Sequence, residues 1–181
     1  MCGFVGYLGA AGRVPADEAE AELTRMAARI ASRGPDDSGT WHDPEHGIGL
    51  GHRRLAVIDL SQAGHQPMAS PAGRFVIAFN GEIYNHLVLR KQIEEAGHSI
   101  SWRGHSDTET FLAGFDCWGI EETLVRSIGM FAFAAWDRQA KELTLARDRL
   151  GEKPLYYGWQ NGTFYFGSEL KAIRECSGFR A

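Results

Sequence analysis

A cysteine at position 2 is the residue of this chain with the most chemical promise. A small residue after the initiator methionine favours removal of that methionine. Cys2 would then carry both a nucleophilic thiol and, on the same residue, an α-amine of pKa about 8 able to act as its general base. No histidine is required. On position alone the plainer reading, a small apolar residue opening a strand, is the stronger one. Asn80–Gly81–Glu82 follows the apolar run Phe75–Phe79. An asparagine amide beside a glycine N–H with no Cβ in the way can aim two donors at one developing oxyanion. Taken alone, an ordinary Asn–Gly turn is the stronger reading. Arg53–Arg54 is expected to open a strand, where successive side chains face opposite sides. One arginine can reach solvent while the other points inward to grip a carboxylate. Asp107 stands at a helix start, where it reads as an N-cap or as the partner of a substrate ammonium. Arg33–Gly39 reads as a helix terminator and turn, and Cys117 and Cys176 read as core packing.

Several chemistries are excluded. The seven histidines have no trustworthy ligand spacing: His42 and His46 are four apart but separated by Pro44, so no metal is expected. Neither G-x-x-x-x-G-K-[ST] nor a G-x-G-x-x-G after a strand occurs, so nothing supports nucleotide binding. The net charge is −4, from 19 basic and 23 acidic residues. With no basic cluster, no nucleic-acid or anionic-membrane surface is expected. No apolar run approaches the roughly 20 residues of a membrane span, and the start lacks the basic region of a secretory signal. Three widely spaced cysteines argue against a disulfide framework or zinc site and for a reducing, cytoplasmic setting.

The elements that would position these residues are legible in outline. At 181 residues, 44% of them hydrophobic, the chain suits one globular domain spanning 1–181, without an internal boundary. Cys2 to Leu8, bounded by glycines, reads as a buried strand. A helix follows Pro15, with Leu23, Met26, Ala27 and Ile30 at helical spacing, and ends at Gly34–Pro35. Ile48–Leu50, Arg54–Leu60 and Arg74–Asn80 read as strands. Helices are predicted through Leu87–Ala96, from about Thr108 to Gly119, and near Glu121–Arg126. Met130–Trp136, Glu142–Arg147, Leu155–Trp159 and Thr163–Phe166 read as strands, with a hairpin at Asn161–Gly162 and a closing helix from about Glu169. Strands in two blocks around a helical middle argue an α+β fold of sheets packed face to face under helices.

Taken in order, the signals resemble a known family. Met1–Cys2–Gly3, RGPDDSG from Arg33, LGHRRLAVIDLS from Leu50, FNGEIYN from Phe79, HSDTE from His105, GMFAFAAWD from Gly129 and ARDRLGEKPLYY from Ala146 resemble the glutaminase domain of asparagine synthetases. That domain belongs to the class II, amino-terminal-nucleophile glutamine amidotransferases. The likeness runs from Cys2 to about Ile173, and FNGEIYN and GEKPLYY favour the asparagine-synthetase branch over the sugar-phosphate and phosphoribosyl amidotransferases.

The resemblance implies a four-layer αββα sandwich of the Ntn-hydrolase type. It implies Cys2 as the nucleophile on the amide of L-glutamine, and Asn80 and Gly81 as the oxyanion donors. Arg54 would hold the substrate carboxylate and Glu82 and Asp107 its ammonium, with backbone groups of Leu55, Val57 and Ile58 lining the site. It implies no cofactor and no metal in this chain. ATP and Mg²⁺ would belong to a synthetase domain, C-terminal or separate, that receives the ammonia, with aspartate the expected acceptor. The Ser-Gly-Gly-x-Asp-Ser loop of that domain does not occur here, so a truncated form or a separate ammonia-releasing subunit is expected. With Met1 attached, Cys2 has no free amine, and a catalytically silent glutamine-binding or sensing domain is the alternative. A hydrolase of some other amide would leave Arg54 and Asp107 idle. The oligomeric state, a homodimer included, stays open.

Overall fold

Alternation along the strands decides which residues meet. In order the chain forms β1 (Gly3–Leu8), α1 (Ala16–Ala28), β2 (Asp37–Asp43), β3 (Ile48–Arg54), β4 (Met68–Ala69), β5 (Phe75–Ile83) and α2 (His86–Glu95). There follow α3 (Asp107–Trp118), α4 (Ile120–Arg126), β6 (Gly129–Asp137), β7 (Glu142–Arg147), β8 (Tyr156–Gln160), β9 (Thr163–Gly167) and α5 (Leu170–Ile173). This computed structural model describes residues 1–12, 14–177 and 179.

The strands make two antiparallel sheets, ordered β2-β3-β1-β9-β8 and β4-β5-β6-β7. On β1, Val5 and Tyr7 face α1 and α5 and join their apolar residues Leu23, Met26, Ala172 and Ile173. Phe4 points the other way, into a core shared with Val76 and Ala78 of β5 and Ala132, Ala134 and Trp136 of β6. The second sheet repeats the scheme. Ile77 and Phe79 of β5 and Phe131 and Phe133 of β6 meet Leu89 of α2 and Phe111, Leu112 and Phe115 of α3. Both sheets are thus apolar on two faces, and the layers run helix, sheet, sheet, helix. The α+β, four-layer αββα architecture is the one expected.

Four details correct the expectation. β2 was not anticipated, because Asp37–Asp43 carries polar and small residues and leans on β3 along its whole length, from Asp37 opposite Arg54 to Asp43 opposite Ile48. Arg53 and Arg54 close β3 rather than open a strand, and 55–60 is an irregular loop. There the Ala56 N–H donates to the Asp36 carboxylate at 2.9 Å and the Ser61 N–H to that of Asp59 at 2.8 Å, so bonds to side chains replace a ladder. The two-residue β4 was also missed. Finally, β5 runs on through Asn80 and Gly81 to Ile83, paired with β6 throughout, which removes the Asn–Gly turn. The real turn is Asn161–Gly162, both with positive φ (51° and 75°), joining β8 to β9 as the sequence suggested.

Candidate active site

The period of two that builds the inter-sheet core also builds the site. Ile48 and Leu50 of β3 face the core, so His52 and Arg54 continue on that face and Arg53 lies on the other. Val76 and Ala78 of β5 face it too, so Asn80 and Glu82 follow. Cys2, two residues before Phe4, has the same parity. Where the apolar residues run out, polar ones take over, and Cys2, Arg54, Asn80, Glu82 and Met130 border one pocket of about 160 Å³.

Cys2 is held on three sides. Its sulfur accepts the Leu55 N–H at 3.3 Å and lies 3.5 Å from the Leu55 carbonyl. The Cys2 carbonyl accepts from Arg33 Nε at 2.9 Å, and Arg33 in turn pairs with Glu169 at 3.1 Å. A Cβ at Gly3 would sit 2.8 Å from Arg33 Cδ, which is why the residue beside the cysteine is glycine. Burial pushes the Cys2 thiol above its ordinary pKa, so attack by this sulfur requires a base. In the chain carrying Met1 the Cys2 nitrogen is an amide. Met1 itself borders the pocket, and its sulfur lies 3.3 Å from the ammonium of buried Lys153.

Asn80 is 1% exposed and, among the described residues, its Nδ2 has no hydrogen-bond partner. A buried donor left unpaired costs about 1–3 kcal/mol, and this one borders the pocket that holds the thiol. The backbone supplies a second donor. Phe131, opposite Gly81, exchanges its N–H and C=O with Asp148. Gly81 and Phe131 are therefore a non-hydrogen-bonded pair, and the Gly81 N–H points away from β6. Along that edge of β5 the Phe79 N–H donates to Gln66 and the Ile83 N–H to Asp107, at 2.7 and 2.8 Å. Among the described residues no side chain takes the intervening Gly81 N–H. A Cβ there would lie 2.3 Å from the Met130 carbonyl oxygen, so the position requires glycine.

Arg54 is buried and donates from both terminal nitrogens to loop carbonyls, to Ser61 at 2.8 Å and to Asp59. Two of its five N–H groups hold the loop, and the residue borders the pocket. Gly64 packs against the guanidinium, where a Cβ would come within 2.0 Å of it. Asp59 accepts from Ser61 and from the His105 N–H. These bonds, the Ser61 hydroxyl first, lower its pKa to about 2 and tie the loop to the approach of α3. Arg53 instead donates to the Gly34 carbonyl at 3.0 Å, on the far face.

Asp107 is not the N-cap; Ser106 is, accepting the Glu109 N–H at 3.1 Å. Asp107 is the first helical residue, buried, with one oxygen on the Ile83 N–H and the other on the Thr108 N–H. Burial raises its pKa despite these bonds. Leu55, Val57 and Ile58 wall the pocket from the loop, with the Val57 side chain 69% exposed. Every expected site residue thus borders the same pocket. Sequence reasoning missed Gly64, Gln66, Ser106, Thr108, Met130 and Lys153, which border it too. Met130 is readable from the parity of β6, whereas Gln66 and Lys153 come from loops whose path no local pattern reveals. Elsewhere, Asp43, Glu45 and His46 bring ligand atoms within 4.8 Å of one another. Arg74, Arg138 and Lys141 line the same hollow, which opposes a cation there.

Comparison with known proteins converges on one family. The family model described as "Glutamine amidotransferase domain" matches residues 1–181. Asparagine synthetase [glutamine-hydrolyzing] 3 of Bacillus subtilis is 40% identical over 175 residues, covering 96% of this chain and 27% of the relative. A putative asparagine synthetase [glutamine-hydrolyzing] of Mycobacterium tuberculosis is 40% identical over 184 residues, covering 96% and 28%. The chain therefore spans little more than a quarter of the length of these relatives. Among solved structures, glutamine phosphoribosylpyrophosphate amidotransferase from B. subtilis superposes with a TM-score of 0.76 over 97% of this chain and 43% of its own, at 21% identity. That likeness establishes the fold.

Proposed function

The chain belongs to the glutamine amidotransferase domain family, and we propose that it hydrolyses L-glutamine to glutamate and ammonia through a thioester on Cys2. The observation that carries this reading is the unpartnered Nδ2 of buried Asn80 in the same pocket as the Cys2 sulfur. Loss of Met1 gives Cys2 a free α-amine. That amine takes the thiol proton as sulfur attacks the side-chain amide carbon, and Asn80 Nδ2 and the Gly81 N–H receive the oxyanion. Collapse returns the proton to the leaving nitrogen and ammonia departs. Water, deprotonated by the same amine, then cleaves the thioester and restores the thiol. Arg54 holds the substrate α-carboxylate, Glu82 and Asp107 its ammonium, and the backbone from Leu55 to Ile58 closes one side. The raised pKa of Asp107 makes an incoming cation a favourable partner for it.

The whole of 1–181 serves as one amidotransferase domain. Its ammonia passes to a synthetase domain or partner that uses ATP and Mg²⁺ to amidate a carboxylate, with aspartate as acceptor. The relatives' names and the span the chain shares with them support this assignment. A cytoplasmic setting belongs to the same reading, and among the described residues no helix is long and apolar enough to cross a membrane. The competing reading, a silent glutamine-binding domain, rests on Met1 at the pocket. Glutamate release decides between them. In Met1-free protein, Cys2→Ala abolishes turnover, while Cys117→Ala and Cys176→Ala keep most of it. Turnover surviving in Cys2→Ala overturns the mechanism, and wild-type binding of glutamine without turnover establishes the silent domain.

A further inference from the structure

Phe79 lies one residue before Asn80, and its polar groups face the edge of β5 away from β6. β4 covers that edge only at Val76 and Ile77. Continued from Met68 opposite Ile77, its register would bring Gln66 opposite Phe79, but β4 begins at Met68 and no backbone ladder reaches Phe79. Side chains take over. Gln66 Oε1 accepts the Phe79 N–H at 2.7 Å, and His52 Nε2, from the other sheet, bonds the Phe79 carbonyl at 2.9 Å. A carbonyl only accepts, so His52 carries its proton on Nε2, and an N–H only donates, so the orientation of the Gln66 amide is set. The Phe79 carbonyl belongs to the peptide unit whose nitrogen is Asn80. His52 is 0% exposed, and among the described residues its Nδ1 has no partner. An apolar residue would fill this core position without that orphaned atom, so packing alone does not account for an imidazole here.

We propose that His52 and Gln66 are positioning residues for the oxyanion donor: by gripping both polar groups of Phe79 from two directions they set the placement of Asn80. The proposal rests on the reading of Asn80 as that donor. A misplacement of about 1 Å in a catalytic group can cost about 10²-fold in rate. Gln66 also borders the pocket, and a direct hold on glutamine would appear in KM.

The test is a set of steady-state measurements on Met1-free protein whose fold is checked by thermal melting. Gln66→Met and His52→Leu should each lower kcat by about 10–100-fold with KM within about 3-fold of wild type. His52→Gln, which keeps a donor, should recover most of the loss. In an Asn80→Ala background Gln66→Met should cost less than about 3-fold, because there is no donor left to misplace. Should His52→Leu fail to fold, Gln66→Met and His52→Gln decide the matter. A full loss retained in the Asn80→Ala background, or a loss carried by KM, overturns the positioning role and leaves the hydrolysis mechanism intact. An Asn80→Ala protein with wild-type kcat overturns both.

Discussion

At the scale of single residues, two donors and one guanidinium distinguish a site from a sheet end. Asn80 sits inside β5 with an unpaired buried amide. Asn80→Asp would place an ionised acceptor where negative charge develops, and like-charge repulsion adds to the loss of a donor. Removing one oxyanion donor costs about 10²–10³ in kcat. Asn80→Asp should exceed that with a small change in KM, and Asn80→Ala should fall between it and wild type. Turnover of Asn80→Asp within a few-fold of wild type would remove the oxyanion role. Arg54 holds the loop and is proposed to hold the substrate carboxylate, so Arg54→Ala should raise the KM for glutamine steeply, by the roughly 1.5–3 kcal/mol of a hydrogen bond to a charged group. Arg53→Ala, which severs only the bond to the Gly34 carbonyl, should be milder. Equal effects on KM would mean that the wrong arginine, or neither, meets the substrate. These residue types and their relative order were legible in the sequence, and the opposed faces of Arg53 and Arg54 followed from strand parity. Arg33 was not legible: it reads as a helix end until the fold carries its guanidinium to the Cys2 carbonyl.

At the scale of elements, alternation is what the sequence states best and loops are what it states worst. Leu55, Val57 and Leu60 imitate a strand, yet Asp36, Asp59 and the Arg54 guanidinium bind this segment's backbone as a loop. Asp36 is distant in sequence, and the bonds of neighbouring Arg54 and Asp59 have no signature in an alternating pattern. β2 stayed hidden for the opposite reason, since apart from Trp41 its residues are polar or small and pairing with β3 makes them a strand. His52, which joins the sheets through the Phe79 carbonyl, gives this layer a pH signature. Desolvation lowers its pKa from 6.5 to about 4. The native imidazole stays neutral where the unfolded one binds a proton, so protons favour unfolding in that interval. The stability due to a neutral His52 is complete above about pH 6.5, is lost as pH falls, and levels off below about 4. The loss is roughly 3 kcal/mol. Denaturant unfolding of wild type and His52→Gln across pH 7 to 4 should show wild type losing more by about that amount. Parallel curves would mean that His52 titrates normally.

At the scale of the whole molecule, two sheets apolar on both faces leave one open end where the inter-sheet layer turns polar, and there Cys2, Asn80, Gly81, Arg54, Glu82 and Asp107, the residues to which the proposed hydrolysis gives its roles, border one pocket. Face-to-face sheets under helices were legible from two blocks of strands around helices, and the four-layer order came with the resemblance. The meeting of Cys2 with Asn80, 78 positions later, was legible only through resemblance, because it depends on how the sheets stack. Stacking also places Met1 at the pocket, so the chain carries its own control on the central claim that Cys2 is nucleophile and base in one residue. The direct measurement is glutamate release by Met1-bearing and Met1-free protein, each identified by intact mass and matched in thermal melting. The account predicts turnover in the Met1-free form and none above background in the Met1-bearing one. Equal turnover by the two would contradict it, since the amide nitrogen of a Met1-capped Cys2 cannot take the proton.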